Sequence, residues 1–254
     1  MVKKVAVLTM VLMFGLVVQA GAVTFTGSSG SLSASVDFTV SGSNLIVTLT
    51  NTSTADVLVP ADILSAVFFT LNGDPALTSV SALIASGSTY YYDTIAPIPT
   101  DGNVGGEWAY VDGLSGAPGG ADEGIGSAGF NLFGQANFNG IDLAPPPALD
   151  GINYGILSAG DNVATGNTGV TGAGGEIKNS VVFTLSGIPS GFDPSATDAI
   201  TKISFQYGTA LTEPNVPGGG GGGGGGSVPE PSTIVLLGAG LFGLGLLGKR
   251  NFKK

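Results

Sequence analysis

Chemistry in this chain must rest on carboxylates, hydroxyls, amides and aromatic rings, because its 254 residues include no His and no Cys. That absence removes thiol nucleophiles, disulfides, imidazole bases, zinc or haem ligation and the Ser-His-Asp arrangement together. Acidic and amide residues gather at Asp101 and Asn103 with Glu107, at Asp122-Glu123, at Asn137 and Asn139 with Asp142, and at Asp161-Asn162. Oxygen ligands on Gly-rich loops are what calcium requires, so Asp101, Asn103, Glu107 and Asp161 are the candidate metal ligands and calcium the one cofactor these loops would suit. No twelve-residue EF-hand loop is present, however, and Asp and Asn are the default turn residues, so solvated turns are the preferred reading. Paired carboxylates can hydrolyse glycosides, yet no spacing singles out a pair, and the chain is expected not to be an enzyme. Trp108 and Tyr110, with the run Tyr90-Tyr91-Tyr92, would make a platform for sugar rings if exposed, against the alternative of core packing.

Two further signals are weaker. The Gly-rich stretches lack the Lys-Ser or Lys-Thr ending of a phosphate loop. Asn51-Thr52-Ser53 has the form of an N-glycosylation acceptor, and three residues alone carry little weight.

The charge pattern excludes another class of partner. Eight basic residues face eighteen acidic ones, and Lys3, Lys4, Lys249, Arg250, Lys253 and Lys254 all stand at the ends. Residues 23–228 therefore hold two bases, Lys178 and Lys202, against every acid except Glu230. Such a body cannot neutralise a phosphate backbone, so nucleic-acid binding is excluded.

The basic ends have a reading of their own. Lys3 and Lys4 precede an uncharged apolar stretch, which is followed by Ala20-Gly21-Ala22 and then Val23. A basic n-region, a short h-region and a small-x-small site make residues 1–22 a secretory signal peptide, with signal peptidase cutting between Ala22 and Val23. At the other end a Gly run leads into Val228-Pro229-Glu230-Pro231-Ser232, an uncharged stretch over residues 233–248, and the cluster Lys249, Arg250, Lys253, Lys254. As a helix, residues 233–248 would span about 24 Å at 1.5 Å per residue, against a hydrocarbon core of about 30 Å. The basic cluster would stop transfer on the cytoplasmic side and leave the body outside the membrane. Pro229 and Pro231 hold their segment extended and keep a following helix out of it.

This order of parts resembles the PEP-CTERM sorting signal of Gram-negative bacteria. The resemblance implies that an exosortase-type membrane protease recognises Pro229-Glu230-Pro231, removes the helix and basic tail, and delivers the body to the cell surface or to extracellular polysaccharide. The expected setting is the cell surface or an extracellular matrix such as a biofilm, after a transient stay in the inner membrane, and the expected role is structural or adhesive. A carbohydrate- or calcium-binding surface module is the alternative.

Between the ends the hydrophobic pattern has a period of two. Leu32, Ala34, Val36, Phe38 and Val40 alternate with small polar residues, as do Leu45, Val47 and Leu49, then Val181, Phe183 and Leu185, then Ile203, Phe205 and Tyr207. Residues 63–71 form a denser apolar run suited to a strand buried on both faces, and residues 88–94 are another candidate strand. Several short strands between turn clusters predict an all-β fold, a single β-sandwich of immunoglobulin-like or jelly-roll type with long Gly-rich loops. Residues 97–179 read as loops and short edge strands of that sandwich, and the strand ending at Gly208 as its last edge. The expected organisation is signal peptide 1–22, body 23–216, poly-Gly linker 217–227 and sorting tail 228–254.

Overall fold

Side-chain alternation organises the first sheet. Strands β1 (Ala22–Ser29), β2 (Leu32–Ser41) and β3 (Asn44–Asn51) form successive antiparallel hairpins in which Val36 pairs with Leu49 and Phe38 with Val47. Ala34, Val36, Phe38, Leu45, Val47 and Leu49 are all fully buried, so the predicted apolar face is the core face. The computed structural model describes residues 21–91, 99–140, 142, 149, 151–167, 170 and 175–220.

Strand β4 (Leu64–Leu71) founds the second sheet, and all its residues are buried except half-buried Thr70. It is apolar throughout because both faces are covered: Val67 and Phe69 enter the main core, whereas Ala66 and Phe68 enter a second core with Ala128, Phe130 and Phe133. Next come β5 (Thr78–Ile84), β6 (Thr89–Tyr91), β7 (Ala109–Asp112), β8 (Glu123–Gly126), β9 (Ile156–Leu157) and β10 (Glu176–Lys178). The body ends with β11 (Ser180–Ser186), β12 (Ile200–Tyr207), β13 (Asn215–Pro217) and β14 (Gly219–Gly220).

The first sheet has the order β14-β1-β2-β3-β11-β5, and the second β13-β12-β4-β9-β10-β6, with β8 joining β4 to β7. Only β9 and β10 pair in parallel among the paired strands described. Buried residues of both sheets share one core, and Phe38 of β2 meets Phe69 of β4 edge to face at 5.2 Å. The fold is all-β, with two sheets, as the alternation predicts.

Three expectations need correction. Residues 97–179 are not merely loops and edges: β8 is inserted between β4 and β7, and β9 joins β4 to β10. Residues 128–133, an apolar island within that stretch, supply none of its expected short edge strands; the Phe133 ring lies on the β8 backbone, where a Cβ on Gly126 would come within 2.7 Å of that ring. Strand β12 is not an edge, because β13 pairs with it through Phe205 and Val216.

By contact the chain divides into Met1–Gly222 and Gly223–Lys254. Among the described residues no helix is long and apolar enough to cross a membrane. The expected signal-peptide core, the Val228 to Ser232 motif, the 233–248 helix and the basic cluster from Lys249 to Lys254 lie outside the described residues.

Candidate functional site

Among the described residues two polar clusters and one aromatic cluster bear on function. The first is centred on Glu123, 1% exposed in β8. Its Oε1 accepts the Leu71 amide at 3.0 Å and its Oε2 accepts the Tyr110 hydroxyl at 2.7 Å. Burial pushes this carboxyl up to about 7, and Asp112 and Asp122 add to the rise. Burial likewise raises the Tyr110 hydroxyl, with Glu123 beside it. Both oxygens of Glu123 are engaged by the protein and the group is closed to solvent, so the arrangement ties β4, β7 and β8 together and presents nothing to a substrate.

In the second cluster two loops clasp each other. Asp161 Oδ1 accepts the amide of Val57, the residue after Asp56, while Asp56 Oδ1 accepts the amide of Asn162, the residue after Asp161, at 2.8 and 2.9 Å. Thr165 Oγ1 donates to Asp56 Oδ2 at 2.6 Å, and Ser158 Oγ to the Ala55 carbonyl at 2.6 Å. Asp161 is 4% exposed and its Oδ2 is buried with no hydrogen-bond donor. Burial raises the Asp161 carboxyl, whereas the Thr165 hydroxyl and the Asn162 amide lower that of Asp56. The Lys178 ammonium donates to the Asp161 carbonyl at 2.6 Å and also stands 5.9 Å from the Tyr91 ring centre.

The third cluster replaces an expected surface with core. Trp108 is fully buried, packed on Phe183 at 4.9 Å, with its indole N–H donated to the Tyr154 carbonyl at 3.2 Å. Tyr110 is 5% exposed. The platform expected of Trp108 and Tyr110 is therefore corrected: the rings supply core area, because a flat apolar ring is worth more buried than wet. Tyr90 lies against Tyr154 at 5.4 Å. Asn51 is corrected in the same way as a glycosylation acceptor, since it is fully buried and its amide nitrogen donates to the Ile156 carbonyl at 2.9 Å.

The calcium candidates do not assemble. Asp101 is exposed, Asn103 Oδ1 accepts the Gly105 amide at 2.9 Å, Glu107 is buried, and Asp161 belongs to the clasp. Among the described residues no group of three acidic side chains is fit to hold a metal ion. Glu123 and Asp56 escaped the sequence reading as structural centres, since an acid in a turn-rich stretch shows no sign of which backbone amide it will meet. The one available signal was Glu123 directly before the Gly-Ile-Gly of β8, where small residues permit close packing.

Both ends of the body emerge at one sheet edge. Strand β1 begins at Ala22, the residue before the expected cleavage bond, and β14 pairs with it at Phe25↔Gly220 and Thr26↔Gly219. Beyond Gly220 the sequence enters the remaining Gly run, and residues 227–250 match the family description "PEP-CTERM protein-sorting motif". The chain carries a PEP-CTERM sorting motif. The matched span takes in Val228 to Ser232 together with Lys249 and Arg250, and leaves Lys253 and Lys254 just beyond it. Such a motif indicates an exosortase-targeted secreted protein. No curated protein and no solved structure matches the chain.

Proposed function

We propose that this PEP-CTERM protein is a non-enzymatic surface or extracellular-matrix component with a structural or adhesive role. Residues 1–22 direct export and are removed by signal peptidase. The 233–248 segment then holds the chain in the inner membrane with Lys249, Arg250, Lys253 and Lys254 on the cytoplasmic side. The exosortase cuts near Pro229-Glu230-Pro231 and releases the body, a single β-sandwich, toward the cell surface or extracellular polysaccharide. The observation that carries this reading is the sorting motif at residues 227–250, placed directly after a folded all-β body. The body supports it, because Glu123 and Asp56, each with both carboxylate oxygens taken by protein donors, hold strands and loops together. Removing residues 1–22 costs β1 a single pair, Ala22↔Thr39, and leaves Val23 paired with Phe38.

The test is genetic and biochemical. In the producing cell, or a host supplied with an exosortase, the parent chain is expected outside the inner membrane, and a Glu230→Ala variant is expected to stay in the membrane fraction. Equal release of both would overturn the reading.

A further inference from the structure

We infer that Asn72 is a self-modification site, where the Gly73 backbone nitrogen attacks the Asn72 side-chain carbonyl and the amide ends as a carboxylate. The sequence holds two Asn-Gly pairs, Asn72-Gly73 and Asn139-Gly140. Glycine after asparagine offers a nitrogen that no side chain shields, so sequence alone makes the two pairs equal. The fold makes them unequal.

Asn72 and Gly73 form the turn that ends β4. The Asp74 amide donates to the Leu71 carbonyl at 3.3 Å across it, and Gly73 takes φ +89° at the position such a turn reserves for glycine. Both residues are exposed, and a Cβ on Gly73 would meet no atom within 4 Å. The Gly73 amide donates no hydrogen bond among the described residues, so none must break before it turns onto the Asn72 side chain. The Asn72 amide, held by the Ala199 carbonyl at 2.9 Å, anchors the residue without covering its side chain. Asn139-Gly140 is clamped instead. A Cβ on Gly140 would lie 2.6 Å from the Gly105 and Gly106 nitrogens and 2.7 Å from Asn103 Oδ1, and one on Gly105 would run into the Asn139 carbonyl oxygen. The peptide group between Asn139 and Gly140 is thus packed on the 103–106 backbone, and ring closure, which must rotate that group, is suppressed there.

The reaction balances with water as the one co-reactant. The Gly73 nitrogen gives its proton to solvent as it bonds to Asn72 Cγ, ammonia leaves with the amide nitrogen, and a cyclic imide remains. Water then opens either imide carbonyl, which yields an aspartate or a chain routed through the former side chain. Asp74 and Asp198 line the groove beside the turn, so two carboxylates become three and the added negative charge accumulates with the age of the chain. The chemistry needs the folded body alone and does not rest on the processing reading.

The experiment compares the two pairs within one molecule. The full-length chain in detergent is aged in mildly alkaline buffer, folded or unfolded in urea, then proteolysed and scored by mass for acid in place of amide at Asn72 and at Asn139. The expected result is conversion at least tenfold faster at Asn72 than at Asn139 in the folded chain, and comparable rates in urea. A folded-state ratio no larger than the ratio in urea, or an Asn72 that stays intact in the folded chain while both sites convert in urea, would overturn the assignment.

Discussion

Glu123 is the residue whose burial makes the sharpest prediction. Its folded pKa of about 7 lies above the ordinary value of 4.5, so the folded state binds more protons than the unfolded one between those limits. Stability must therefore fall as pH rises through that window, by on the order of 3 kcal/mol for a shift of this size. Glu123→Gln keeps an acceptor for the Leu71 amide and offers a donor to the Tyr110 oxygen. We expect it to flatten the pH dependence and to raise stability by about 1–3 kcal/mol at pH 8. Urea unfolding at pH 5 and pH 8 checks this, and an unchanged slope in the variant would assign the dependence elsewhere. Asp161 contributes with the same sign, since its carboxyl is also raised, while the lowered carboxyl of Asp56 opposes it at acid pH. None of these roles was legible in the sequence. Asp122-Glu123 reads as a turn acid pair, and only the meeting of β8 with β4 and β7 distinguishes the buried carboxyl from its neighbour.

At the scale of elements, legibility followed periodicity. Strands β2, β3, β11 and β12 announce themselves by alternation, and β4 by its unbroken apolar run, because each rule reflects how many faces are buried. Strands β8, β9 and β10 have two to four residues, too few for any period to register, and they are specified by neighbours instead. Strand β5 alternates only weakly, β13 straddles the expected end of the body, and β14 lies inside what reads as linker. The crossing between sheets at Gly218 gives the element-scale test. Gly218→Val forces a side chain against Ile203, and overpacking of this kind costs about 1–3 kcal/mol. Thermal unfolding should show the loss, whereas Gly219→Val, where an added Cβ meets no atom within 4 Å, should leave the melting temperature nearly unchanged. Equal melting temperatures for both would mean that the crossing is not held by packing.

At the scale of the whole molecule, the body and its addresses were read with unequal ease. The sorting tail is legible because a linear order of parts is what a membrane protease meets, so sequence is the relevant description. The interior was not: Trp108 and Tyr110 look like a sugar platform in one dimension and prove to be core in three. An acidic body with two bases has little attraction for anionic surfaces. The most direct test of the central claim is the intact mass and C-terminal peptide of the protein recovered from outside the inner membrane. The sorting account predicts a chain that begins at Val23 and ends near Pro229-Glu230-Pro231, with any additional mass belonging to whatever the body is joined to. A chain that still carries residues 233–254 would contradict it and make the protein a permanent membrane anchor.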